Sequence, residues 1–170
     1  MISDTLPEHL SATRFIDAKE EISGPLDPQH YKRFAEIATL ASGANVTLRG
    51  YSEPYGSKVI VGELQAAAQM TCRRCLKPVT VVLESSLRWG LVFSESEMQD
   101  LEKDLDPILV AEGQIPLRQA IEDELVLLLP IMPTHESCNS EWISDTESVD
   151  ISENKSPFAV LAALKNEQGS

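Results

Sequence analysis

The sequence predicts an α+β fold: an antiparallel sheet or partly closed barrel of about five or six strands, a few helices packed outside, and a disordered acidic C-terminal tail. Three observations lead there. Apolar and polar residues alternate with a period of two through the middle of the chain. Helical three- and four-residue spacing is confined to two stretches that flank it. From Glu141 to Glu153 there are five acids, no base and little to bury.

Taken in order, residues 13–22 read as a short strand, with Phe15 and Ile16 near its start and Gly24-Pro25 closing it. Asp27 is placed to cap a helix entered at Pro28. Tyr31, Phe34, Ile37, Ala38 and Ala41 share one face of that helix, and Gly43 ends it. Val46 and Leu48 then alternate with Thr47 and Arg49, and 53–57 is a turn. Val59, Val61, Leu64 and Ala66 lead up to Cys72, and Val79 to Phe93 leads away from Cys75, so the Cys-x-x-Cys lies at a hairpin tip. The acid-rich stretch from Glu95 to Asp106 is a solvated polar helix or mobile loop. A second main helix starts at Pro116, presents Leu117, Ile121, Leu125 and Leu128 on one stripe, and stops at Pro130. Residues 1–140 thus make one domain, followed over 141–170 by an acidic linker and a short helix. That helix carries Phe158, Leu161 and Leu164 on one side, as a docking element does.

Composition narrows the function. A length of 170 residues with 42% hydrophobic and 24% charged residues is ordinary for a globular chain, and 5% aromatics imply an aliphatic core. The net charge of −13 is not ordinary. It favours basic partners and argues against a broad nucleic-acid-binding face. Three cysteines with a Cys-x-x-Cys spacing indicate reduced thiols in a cytosolic compartment. No signal peptide is read at the N-terminus. The apolar run Leu125–Leu129, broken by Pro130, is far shorter than the roughly twenty residues of a membrane span.

The chemistry concentrates in Cys72-Arg73-Arg74-Cys75, answered by His135-Glu136-Ser137-Cys138, which together use every cysteine. Cys72, Cys75, His135 and Cys138 are the ligand set of a candidate structural zinc site; the alternative is reduced thiols with no metal. A redox dithiol is disfavoured, because active Cys-x-x-Cys pairs sit at a helix N-terminus and this one runs into Leu76-Lys77-Pro78 and a strand. A low thiol pKa at Cys72 would favour it. Arg73, Arg74 and Lys77 form the densest basic cluster and a candidate RNA contact, without a stacking platform of aromatics nearby. Glu122, Asp123 and Glu124 point in different directions on a helix and are read as a solvated face instead of a catalytic pair. His9 and His30 take surface positions. No Gly-rich phosphate loop, serine nucleophile motif or metalloprotease helix is present, so no enzyme is expected.

Three segments carry a family resemblance: Cys72-Arg73-Arg74-Cys75-Leu76-Lys77-Pro78, the run from Glu122 through Leu129-Pro130-Ile131-Met132-Pro133-Thr134 to His135, and Pro157-Phe158-Ala159-Val160-Leu161-Ala162-Ala163-Leu164-Lys165. In this order they closely resemble the bacterial YceD family, described as large ribosomal RNA subunit accumulation proteins. The resemblance implies a role in the synthesis, processing or stability of 23S ribosomal RNA and in large-subunit assembly. It brings no catalytic residues with it. Together with the charge it suggests a non-enzymatic factor that holds a basic ribosomal protein or other assembly component. Direct RNA binding or processing at the Arg73-Arg74-Lys77 loop is the alternative, and a thiol oxidoreductase a third.

Overall fold

The computed structural model describes residues 6–53 and 56–138. The boundary near 140, the acidic linker and the Phe158, Leu161 and Leu164 helix lie outside the described residues. In chain order the elements are β1 (Leu10–Ser11), α1 (Ala12–Asp17), β2 (Glu21–Pro25), a 3₁₀ turn (Pro28–His30), α2 (Lys32–Ala35), β3 (Thr39–Leu40) and β4 (Asn45–Ser52). After these come β5 (Lys58–Thr71), β6 (Pro78–Val92), a second 3₁₀ turn (Glu95–Gln99), β7 (Asp106–Leu109), β8 (Gln114–Ile115) and α3 (Leu117–Leu127).

Period-two alternation forms the sheet where the sequence predicts it. Val46, Leu48 and Gly50 of β4 turn inward, as do Ile60, Leu64, Ala66 and Ala68 of β5 and Leu83, Leu87 and Trp89 of β6. Register keeps them on one face, since Val46 opposes Leu64, Ala66 opposes Leu83 and Ile60 opposes Trp89. Strand order is β2-β4-β5-β6-β7, with β3 pairing farther along the edge of β5 that β4 uses. The strands at the two ends of that order, β2 and β7, do not pair with each other, so the sheet stays open and no barrel closes. Nor is it wholly antiparallel. β7 runs parallel to β6, Trp89 opposite Asp106, because the chain crosses back through the acidic 3₁₀ turn instead of reversing in a hairpin. β1 and β8 form a separate two-stranded ribbon.

The predicted strand over 13–22 is instead helix α1, and β2 begins only at Glu21. Phe15 and Ile16 are adjacent and both buried, which a strand with alternating faces does not allow against one core. A helix seats both over Gly50, where an added Cβ would come within 3.0 Å of the Phe15 and Ile16 side chains. Lys19, with φ +50, ends the helix.

The long helix predicted from Pro28 to Gly43 is likewise corrected. Asp27 does cap, its Oδ1 accepting from the Gln29 N–H at 3.0 Å, but the turn it starts is 3₁₀ and stops at His30. A single α-helical turn follows as α2, and Thr39-Leu40 pair with Gln69 and Ala68 of β5. Tyr31, Phe34 and Ala38 are buried as the periodicity requires, while Ile37 is exposed.

The break is imposed from α3. Glu122 Oε1 accepts from the backbone N–H groups of Arg33 (2.8 Å) and Phe34 (3.3 Å), capping α2 from another element, and its Oε2 accepts from Arg33 Nε at 3.0 Å. Asp123 accepts from Arg33 Nη2 at 2.6 Å, and Glu124 from Ser85 Oγ of β6 at 2.7 Å. The three carboxylates therefore tie α3 to its neighbours and are not the solvated face predicted from sequence. Glu122 and Asp123 converge on the one Arg33 guanidinium, where the sequence reading has all three pointing apart, and only Glu124 turns away, to β6. Glu122→Ala leaves two capped N–H groups without their shared acceptor and is expected to lower stability by about 1–2 kcal/mol, read as a shifted urea midpoint with unchanged slope. The half-exposed Arg33 ion pair adds little to that.

Leu117, Ile121 and Leu125 of α3 complete the core against the sheet, and Leu128 packs at its margin. No described helix is long and apolar enough to cross a membrane.

Candidate metal centre

β5 and β6 form the longest strand pair, and the connection Cys72–Lys77 closes it. The Cys72 N–H donates to the Lys77 carbonyl (2.9 Å) and the Leu76 N–H to the Cys72 carbonyl (3.0 Å). Leu76 takes φ +58 to complete the turn, a conformation that costs an L-residue energy and persists where the surroundings fix it. This folds the Cys-x-x-Cys into a knuckle with both sulfurs on its inner side.

The other half comes from the segment that leaves α3. After Pro130 the chain runs beside the knuckle, held there by the Arg73 N–H donating to the Pro133 carbonyl at 2.8 Å. His135 and Cys138 thereby meet Cys72 and Cys75, and the four ligand atoms all lie within 4.8 Å of one another. Cys72 and Cys138 sulfurs are 3.8 Å apart; Cys75 Sγ and His135 Nδ1 are 3.4 Å apart. A tetrahedral metal bound at about 2.3 Å by sulfur and about 2.0 Å by nitrogen requires edges of about 3.8 Å and about 3.5 Å. The two measured edges match. A disulfide would need the sulfurs near 2.05 Å, and all three cysteines are free.

The surroundings prepare the donors. His135 Nε2 lies 3.0 Å from the Pro78 carbonyl, which can only accept, so Nε2 carries the proton and Nδ1 presents its lone pair to the thiols. Burial alone pushes the Cys72 thiol up. The N–H groups of Cys75, Arg74 and His135 and the Cys75 thiol outweigh it and bring Cys72 down to about 5. Cys138 is raised, first by burial and then by its neighbours Cys72 and Cys75.

The depressed Cys72 pKa is the property that would suit a redox dithiol, but Cys72 is fully buried and is followed by a strand. A nucleophile for disulfide exchange needs access and has none here. A buried thiolate ringed by donors is what a metal ligand requires.

Arg73, Arg74 and Lys77 are all exposed on the knuckle, and none is in an ion pair among the described residues. Beside them Leu76, Ile131 and Met132 are exposed apolar side chains. The carbonyls of Pro78 and Pro133, which orient the histidine and anchor the second segment, were not singled out from sequence. The prolines themselves, one after the first half-site and one before the second, were their only signal.

The sequence profile of the family described as Large ribosomal RNA subunit accumulation protein YceD matches residues 60–165, which include all four ligand candidates. A Haemophilus influenzae protein named Large ribosomal RNA subunit accumulation protein YceD is 35% identical over 142 residues, 79% of this chain and 81% of the relative. No solved structure matches the chain.

Proposed function

The chain belongs to the YceD family, and on that premise we propose that it supports accumulation of the large-subunit ribosomal RNA as a cytoplasmic assembly factor that catalyses no reaction. The observation that carries this reading is the relative's match across most of both chains. Its action is to hold a basic component of the large subunit. With 27 acids against 14 bases, the surface attracts cationic proteins and repels the phosphate backbone over most of its area. Ordinary rim charges set the rate and salt dependence of such an encounter more than its final affinity.

Zinc belongs in this reading as a structural ion held by Cys72, Cys75, His135 and Cys138. Four protein ligands close the tetrahedron, leaving no position for a water or substrate. What the ion supplies is a fixed join between the β5–β6 knuckle and the segment after α3. The residues around it orient the imidazole and hold the thiolate, as their hydrogen bonds indicate.

A deletion strain is expected to lose free large subunits and 23S ribosomal RNA while small subunits stay normal; an unchanged ribosome profile overturns the proposal. Pull-down at moderate salt, with and without residues 141–170, then tests the partner class. Failure to recover any basic ribosomal protein with either form removes the holding mechanism. A second reading, direct RNA contact through Arg73, Arg74 and Lys77, is favoured by their exposure without partners. It predicts salt-sensitive binding to ribosomal RNA fragments that is lost when all three become Gln.

A further inference from the structure

We propose that the cleft between the Pro28–His30 turn, α2 and the start of α3 binds a nucleoside monophosphate group, with Tyr31, Arg118 and Lys32 as its hydrogen-bond and charge donors. This goes beyond the ribosomal reading and does not depend on it. Tyr31 is 2% exposed and lines an inner cavity of about 240 Å³ together with Leu26, Asp27, His30 and Arg118. Its hydroxyl makes no hydrogen bond among the described residues, whereas every sealed side-chain nitrogen and oxygen there is paired. The hydroxyl is therefore not sealed but opens into the cavity it lines. Burial pushes its pKa up to about 12, so it stays protonated and can donate to a ligand. A donor that opens into a cavity without a protein partner is left to water or to a ligand's acceptor.

The inner cavity continues outward into a second of about 640 Å³ that shares His30 and Arg118 and adds Lys32. This outer part is an open depression, not an enclosed chamber, and Glu8 also lines it. Arg118 donates from Nη2 to the Leu6 carbonyl at 3.2 Å, but its nearest carboxylate is the exposed Glu8, 3.9 Å from Nη1. The guanidinium thus keeps donors for the cleft. Lys32 is exposed and in no ion pair among the described residues. Arg33 also lines the outer cavity, but Glu122 and Asp123 consume its charge, and Arg33 in turn neutralises Glu122. Two cations without strong partners in one cleft stand out in a chain of net charge −13. They point to an anion in the outer part.

The inner part needs something else. Asp27 faces it with a carboxylate whose Oδ1 is held by the Gln29 N–H, which disfavours a second anion but welcomes a donor. Leu6, Pro25 and Leu26 supply apolar walls. A group with apolar faces, one acceptor for Tyr31 and one donor for Asp27 fits, and a nucleobase has all three. Phosphate between Arg118 and Lys32 with a base inside is the arrangement these walls select. The same chemistry occurs in a free nucleotide and at the phosphorylated 5′ end of an RNA.

Calorimetry on the full chain distinguishes these. It is titrated with each of the four nucleoside monophosphates, with inorganic phosphate, and with a short oligoribonucleotide with and without its 5′ phosphate. Saturable binding is expected of at least one monophosphate or of the phosphorylated oligonucleotide. Preference for the first assigns the site to a free nucleotide, and preference for the second to an RNA end. Lys32→Gln and Tyr31→Phe should each weaken binding at least tenfold. Both variants should fold normally, since Lys32 is exposed and Tyr31→Phe removes only an unpartnered hydroxyl; its melting temperature should be unchanged or higher. The proposal is overturned by no saturable binding, by inorganic phosphate or the dephosphorylated oligonucleotide binding as well, or by indifference to both substitutions.

Discussion

Cys72→Ser is expected to abolish stoichiometric zinc. Wild-type protein purified without chelator should carry about one zinc per chain, and the variant less than about a tenth of that, because one lost thiolate opens the coordination shell. Loss of the metal should not unfold the sheet, whose core of Ile60, Leu64, Leu83, Leu87, Trp89, Ile121 and Leu125 is built without the four ligands. The effect should be local. Amide exchange should accelerate about a hundredfold or more at Cys72–Lys77 and Pro133–Cys138, while the centres of β5 and β6 keep their protection. Chelation of the wild-type protein should reproduce this pattern, and added zinc should reverse it there but not in the variant. Wild-type protein that holds no metal, and whose Cys72 alkylates as fast as a free thiol, would reduce the cluster to neighbouring thiols.

The four-residue cluster could be anticipated because half of it is local. A Cys-x-x-Cys between two alternating strands has few conformations besides a knuckle, and Cys138 is the only other cysteine, with His135 three residues before it. What the sequence does not state is the contact that brings the halves together, the Arg73 N–H on the Pro133 carbonyl, since backbone groups carry no residue signature. The long strands and α3 were legible for the same reason: each repeats its period many times. α1 and α2 are one or two turns long, too short for periodicity to decide. Their form follows from distant residues, Gly50 beneath Phe15 and Ile16, and Glu122 on the N–H groups of Arg33 and Phe34. Whether the sheet closes depends on what β2 and β7 meet, which no alternation pattern encodes. The Tyr31 cleft joins Asp27 and Lys32 to Arg118, which is far away in sequence, and has no motif at all.

Gly62→Ala should be the most destabilising small substitution in the sheet. Gly62 sits opposite Leu48 of β4 and Leu87 of β6. A Cβ there would run into the Thr47 carbonyl oxygen and lie 2.6 Å from a Leu48 methyl and 3.2 Å from the Leu48 Cα. Two of these are backbone atoms, so no change of rotamer relieves the clash; β4 must move off β5. Overpacking of this kind costs about 1–3 kcal/mol, and with ladder hydrogen bonds stretched as well the expected loss is about 3 kcal/mol. It would be read as a lower urea midpoint with unchanged slope. Zinc should nonetheless stay with the folded fraction, because the knuckle hangs from the Cys72 end of the β5–β6 ladder, beyond Gln65 where pairing with β4 stops, and from the segment after α3. The lesion is thus the converse of Cys72→Ser, one weakening the sheet and sparing the metal, the other doing the reverse. Folded Gly62→Ala protein that has lost its zinc would mean that the centre depends on the whole sheet and not on the hairpin that carries it.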